Sequence, residues 1–192
     1  GLDQRRSVVI SIPSADEADQ LGSVDDLAEN WPSSVAITVP SEYSRRLALE
    51  VGLPGRAVRV LGLPGRTVDD RPAVRAALRG ELRIGEKDVV LAAPVPMYRD
   101  AGHVEAAWVH AIVWHVYPRA VLVLSGDGPG GPHARHFAST MPAVSHLRIT
   151  GRRYSRPQVL ASADLALFFN DRDFAPGSLA DAMASGLAIV AC

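Results

Sequence analysis

The stretch Val121-Leu122-Val123-Leu124-Ser125-Gly126-Asp127-Gly128-Pro129-Gly130-Gly131-Pro132 carries an unbroken apolar run straight into a loop that is half glycine. A strand with one wet face alternates apolar and polar side chains. A run that is apolar at every position instead suits a parallel strand covered on both faces by crossover helices. Runs rich in Val, Ile and Leu recur about every 20 to 30 residues: Val8 to Ile12, Val35 to Val39, Val58 to Leu61, Val89 to Ala93, His146 to Ile149, Leu165 to Phe169 and Leu187 to Ala191. Amphipathic stretches of helical period lie between them. This rhythm predicts an α/β protein, a Rossmann-like parallel sheet with helices on both faces.

Punctuation supports the helices. Ser41 before Glu42 to Val51 is an N-cap candidate, with Gly52 and Pro54 as the stop. Asp70 precedes Arg71-Pro72, which puts proline in the first turn of a helix running towards Arg83. His103 to Val116 and Ser178 to Ala184 are further helices, and Trp108 and Trp114 on the former read as core or interface residues. Gly52-Leu53-Pro54-Gly55 and its near echo Gly62-Leu63-Pro64-Gly65 bracket one short strand, which places a domain boundary near residue 55. Residues 1–55 are then too short to form a well-buried sheet alone and read as a remnant of an N-terminal domain with its linker. Residues 56–192 form the main domain. Leu187 to Ala191 reads as a buried central strand with no helix after it, so the chain is expected to be a fragment truncated at its C-terminus.

Composition narrows the function. The 192 residues are 47% hydrophobic and 21% charged with a formal net charge of -1, ordinary values for a globular protein. A nucleic-acid surface is disfavoured because phosphate backbones demand a basic excess. No apolar run approaches the roughly 20 residues of a membrane-spanning helix. The single cysteine, Cys192, rules out an intrachain disulfide and a cysteine metal cluster, and fits a reducing compartment. His133 and His136 are spaced to share a helix face but have no third ligand at a fixed spacing, so no metal site is expected. The single lysine, Lys87, stands between Glu86 and Asp88, which excludes a Walker phosphate loop. Gly-x-Ser-x-Gly and His-Glu-x-x-His motifs are absent. Val89 to Ala93 leads into Pro94-Val95-Pro96-Met97-Tyr98, with no dinucleotide fingerprint, which disfavours NAD.

In an open parallel sheet, ligands bind beyond the carboxyl ends of the strands. Three loops there stand out. Ser125 to Pro132 lets backbone approach a ligand without Cβ obstruction. Thr150-Gly151-Arg152-Arg153-Tyr154 is a glycine turn with fixed positive charge. Asn170-Asp171-Arg172-Asp173-Phe174-Ala175-Pro176-Gly177-Ser178 leads into a helix, where free N–H groups suit a phosphate. Together they suggest a nucleotide or another phosphorylated ligand.

The order of these pieces resembles the retaining glycosyltransferases of the GT-B fold, in particular family 4, also called group 1. The resemblance runs from Ser41 to Cys192, roughly four fifths of the chain. It is carried by Ser41-Glu42-Tyr43-Ser44-Arg45-Arg46, by the glycine loop Ser125 to Pro129, and by Val159-Leu160-Ala161-Ser162-Ala163-Asp164-Leu165. The strongest part is Asp181-Ala182-Met183-Ala184-Ser185-Gly186 with the strand that follows.

The resemblance implies a donor-binding domain for a nucleotide-diphosphate sugar, with the acceptor (a sugar, lipid or polysaccharide) supplied by the missing domain. The anomeric configuration would be retained, with no metal and no cofactor. It also implies a cytoplasmic protein that touches a membrane peripherally, if at all, through its missing part. Two family glutamates separated by seven residues match Asp173, facing the donor sugar, and Asp181, facing the ribose; both side chains are one methylene shorter here. The family's Gly-Arg and Lys-Gly, which neutralise the leaving diphosphate, are replaced by Val95-Pro96 and Ala101-Gly102. Arg99, Gly177 and Ser178 would then serve the diphosphate, Arg152 the base or phosphates, and Gly126 and Gly128 the close backbone approach. Asp173 and Arg99 are the expected catalytic pair. Two alternatives stay open: a non-catalytic GT-B binding or scaffolding protein that has lost the diphosphate cations, and a sugar-nucleotide epimerase of the related two-domain fold.

Overall fold

The computed structural model describes residues 8–11, 35–169 and 176–192. It contains two units, one ending at Leu63 and the other beginning at Pro64. In the first, β1 (Val8–Ser11), β2 (Val35–Val39) and β3 (Val58–Val60) form a parallel sheet in that order. Helix α1 (Glu42–Glu50) starts at Ser41, whose Oγ accepts the Ser44 N–H at 3.1 Å, and is followed by Gly52 at φ 93. Ile37, Val39, Ala48, Leu53 and Val58 form its core. The boundary therefore differs from the position expected near residue 55. Val58 is 1% exposed and pairs with Ile37, so β3 completes this sheet, and the chain leaves at the second Gly-Pro cluster instead of the first.

The second unit is a five-stranded parallel sheet of β4 (Val89–Ala93), β5 (Ala120–Ser125), β6 (Leu147–Gly151), β7 (Leu165–Phe168) and β8 (Ala188–Ala191), in the order β6-β5-β4-β7-β8. Its helices are α2 (Arg71–Glu81), α3 (His103–Val116), α4 (Gly131–Ser139), α5 (Arg156–Ser162) and α6 (Pro176–Ala184). Alternate residues of the central strands feed two cores. Leu91, Leu122 and Leu124 meet Ala106 and Ala107 of α3 on one face. Val90, Val121 and Val123 meet Val159 of α5 and Ala163 on the other. Burial on both faces explains why Val121 to Leu124 has no polar position.

At the amino ends of the strands, Arg71, Arg75 and Arg79 lie one helical turn apart along α2 and clasp the far end of α5. Arg75 Nη1 donates to the Ser162 and Ala163 carbonyls, and Arg79 Nε to the Ser162 carbonyl. Arg75 and Arg79 both pair with Asp164, which also accepts the Val90 N–H at 2.8 Å. The orphan carbonyls that end a helix are satisfied here by guanidinium groups.

Among the described residues strand β8 pairs with β7, from Leu165 and Ala188 to Phe168 and Ala191, and Val190 is 43% exposed.

Candidate functional site

Strand order reverses between β4 and β7, because the chain builds outwards to β5 and β6 and then returns to the other side of β4. Crevices at such switch points, beyond the carboxyl ends of the strands, are the ligand sites of open α/β sheets. A cavity of about 410 Å³ lies over the ends of β4, β5 and β6. Its floor comes from Pro94 to Pro96 and Ser125 to Asp127, and its walls from Tyr98, Gly151, Arg152, Tyr154 and Arg156. The volume falls in the range of small-molecule sites, and two of the lining side chains are guanidiniums.

The glycine loop sits here for a reason internal to the protein. Gly126 has φ 103, and a Cβ on it would stand 2.4 Å from the Val95 carbonyl oxygen; on Gly128, at φ 154, it would stand 2.5 Å from that of Met97. The two glycines let the loop after β5 lie against the loop after β4, joined by the Met97 N–H to the Asp127 carbonyl at 3.1 Å. The close approach expected of them is thus made first to protein backbone, while Gly126 also lines the cavity.

The charged side chains are distributed unevenly. Arg152 lines the cavity with its side chain 83% exposed, bridging to Asp127 at 3.2 Å. Arg153 turns away to Glu81 at 2.9 Å. Arg99 is exposed and does not line the cavity, the wall there being Tyr98. Asp173 lies outside the described residues. Gly177 and Ser178 form the first turn of α6, with Ser178 buried.

Asp181 has other partners than the ribose role requires. It is 1% exposed, its Oδ1 accepts the Arg66 N–H at 2.6 Å, and its Oδ2 accepts Arg156 Nε at 2.6 Å and Arg66 Nη2 at 3.3 Å. Burial alone would raise its pKa, but the Arg66 N–H and the two guanidiniums outweigh it and hold the carboxyl below its ordinary value. Nη1 of Arg156 also donates to Ser178 Oγ at 2.9 Å.

Arg156 and Arg66 are the site residues that sequence reasoning did not single out. The signal for Arg156 lay in Ser155-Arg156-Pro157-Gln158, a capping box with proline in the first turn, which fixes a helix start just past a strand end. An arginine at that start stands at the cavity. Arg66 carried no local signal, because its partner is 115 residues away.

Beneath the floor, His103 opens α3 at 3% exposure, with neither ring nitrogen hydrogen-bonded among the described residues. Burial pushes its pKa down, partly opposed by the Ser125 and Val95 backbone and by Glu105. Among the described residues no three His, Cys, Asp or Glu side chains gather as a metal site. No helix among them is long and apolar enough to cross a membrane.

Neither a protein-family model nor a curated protein matches the sequence. Solved structures do. The Anabaena protein Alr3699/HepE in complex with UDP and glucose aligns with 97% of this chain at TM-score 0.76 and 18% identity, over 53% of its own length. WaaG, a glycosyltransferase involved in lipopolysaccharide biosynthesis, aligns with 84% of the chain at TM-score 0.64 and 19% identity, over 45% of its own length. The C-terminal domain of a group 1 glycosyltransferase, LpcC from Francisella tularensis, aligns with 68% of the chain over 70% of itself, at TM-score 0.53 and 14% identity. The chain thus spans about half the length of HepE. Its fold is that of the GT-B glycosyltransferases, as the sequence resemblance implied.

Proposed function

We propose that this chain is the donor-binding part of a glycosyltransferase of the group 1, family 4 type. It would take a nucleotide-diphosphate sugar into the cavity beyond β4, β5 and β6, and pass the sugar to an acceptor with retention of configuration and without a metal. The observation that carries this reading is the position of that cavity: it lies at the switch-point end of a parallel sheet, floored by two touching backbone loops and walled by Arg152 and Arg156. The likeness to HepE, solved with UDP and glucose, agrees with it.

Each part of the cavity has work in this reaction. The diphosphate is the leaving group, so negative charge grows on it as the glycosidic bond to the donor breaks, and fixed positive charge there lowers the barrier. The exposed loop after β6, with Arg152, suits the base or the phosphates. Asp173 is assigned to the donor sugar. The acceptor, and any peripheral contact with a membrane from the cytoplasmic side, would belong to other parts of the protein.

A second reading is favoured by two observations. The segment from Val95 to Gly102 brings no cation to the cavity, and the Asp181 carboxylate is held by arginines. On this reading the chain keeps the fold as a binding or scaffolding subunit without transferring sugar. Titrating UDP-glucose and other nucleotide sugars into the complete protein, and following sugar release or transfer, separates the two. The enzyme reading requires saturable binding and turnover that falls when Asp173 is replaced by Ala. Binding without turnover supports a binding subunit, and no binding removes the enzyme and leaves the scaffold.

A further inference from the structure

We infer that Arg156 is the diphosphate-binding cation of this cavity, and that Asp181 acts on the ligand only through it, as a positioning residue. This assignment rests on the nucleotide-sugar reading above and supplies the fixed charge that the loop after β4 lacks. Among the cavity's two guanidiniums, that of Arg152 is exposed and paired with an exposed carboxylate, so its position is loose and its field is screened by water and salt. Arg156 is different in kind. Its side chain is only 26% exposed and is fixed at two points, Nε to Asp181 at 2.6 Å and Nη1 to Ser178 Oγ at 2.9 Å.

A guanidinium has five N–H donors in a rigid fork, and these two bonds use two of them. Nη2 makes no hydrogen bond among the described residues, so Arg156 lines the cavity with donors to spare. Among the described residues the local charge balance leaves a positive surplus, part of it on Arg66, which is 65% exposed. The first turn of α6 is the positive end of a helix dipole, where a cation is unfavourable. Asp181 offsets one positive charge there, yet both Arg66 and Arg156 pair with it. A diphosphate accepting from the Arg156 fork would neutralise the surplus. A ribose hydroxyl on Asp181, by contrast, would have to reach a carboxylate that is 1% exposed and already accepts three hydrogen bonds.

The test titrates UDP, GDP and ADP into the complete protein and then, for whichever binds, compares that diphosphate with its parent nucleoside in the variants. Arg156→Gln is expected to weaken the diphosphate about tenfold or more while the nucleoside changes less than about twofold, as for loss of a charge-assisted contact confined to the phosphates. Arg156→Lys should recover part of the loss, since it keeps the charge and loses the fork. Asp181→Asn should weaken the diphosphate severalfold and spare the nucleoside. Because Arg156→Gln takes one of two guanidinium partners from a buried carboxylate, the double variant R156Q/D181N repeats the comparison without that charge and is expected to show the same diphosphate-selective loss. Equal weakening of nucleoside and diphosphate by Asp181→Asn would place Asp181 on the ribose and overturn the assignment. Indifference of the diphosphate to Arg156→Gln would overturn it too, while leaving the nucleotide reading standing. If the unaltered protein binds none of the three diphosphates, the nucleotide reading fails and the assignment falls with it.

Discussion

Arg79 and Asp164 meet at 2.7 Å between Nη2 and Oδ2, tying α2 to the residue before β7 with the Arg79 side chain 7% exposed. Arg79 spends its other donors on the carbonyls of Ser162, Gly85, Glu86 and Asp88. Asp164 in turn accepts from Arg75 and from the Val90 N–H at the start of β4. The pair is thus the junction of one helix, two strands and the end of α5. Removing Asp164 leaves the buried Arg79 guanidinium without its counter-ion, but Asp164 is itself 34% exposed and water screens part of the loss, so Asp164→Ala is expected to cost about 2 kcal/mol in urea unfolding. Arg75→Ala should cost clearly less, its side chain being 31% exposed. A loss below about 1 kcal/mol for Asp164→Ala would show the junction to be no stronger than a surface pair.

Stability should fall on acidification in two separate windows. Burial holds the imidazoles of His103 and His110 below their ordinary 6.5, so the unfolded chain takes up protons that the folded one refuses. Their contribution is complete above about 6.5 and is lost as the pH drops beneath it. For Asp164 and Asp181, burial pushes upward, but backbone N–H groups and arginines prevail and set both below 3.8. Their contribution is present above that value and lost as the pH falls through the lowered one. Urea midpoints measured from pH 7 to pH 5 should therefore decline, with a slope of at most about 1.4 kcal/mol per pH unit for each histidine. The decline should flatten in a His103→Leu/His110→Gln variant. A profile that is flat over this range in the unaltered protein would contradict the assignment.

Two glycines should respond oppositely to alanine. Gly126 has φ 103 and faces the Val95 carbonyl, so a methyl there forces the two cavity loops apart. Gly126→Ala is expected to cost about 1 to 3 kcal/mol and to reduce ligand affinity together with stability. Gly80 lies within α2 with nothing within 4 Å of where its Cβ would be. There Gly80→Ala replaces a glycine in the last turn of α2 and should stabilise by about 0.5 kcal/mol. Thermal unfolding of both variants decides it, and like signs would refute the contact geometry at Gly126.

Much of this fold could be read locally. Val89 to Ala93 and Val121 to Leu124 are apolar throughout because helices cover both faces of β4 and β5, and Ser41 and Asp70 cap the helices they precede. Sheet membership was less legible: β3 is only Val58-Arg59-Val60, and its pairing with β2 shows only in the folded chain. The candidate site divides the same way. The glycine loop and Arg152 announced themselves by composition and by following strands. Arg156 gains its place only when α5 and α6 come together, and Asp181 kept the expected spacing while acquiring partners that spacing does not encode.

The bridge between Arg152 and Asp127 separates a structural role from a ligand-binding one. With side chains 83% and 52% exposed, the pair should add less than about 0.5 kcal/mol to stability and fade with salt. Arg152→Ala should therefore leave the urea midpoint almost unchanged. If Arg152 serves a bound nucleotide, the same variant should weaken nucleotide-diphosphate binding severalfold, and the difference from the unaltered protein should shrink as salt rises, because the lost contact is electrostatic. Asp127→Ala frees Arg152 from its only ion pair among the described residues and should strengthen binding slightly at low salt. Titrations of both variants at low and high ionic strength check this. A loss of stability without a loss of affinity in Arg152→Ala would make the residue a loop anchor, with no part in the site.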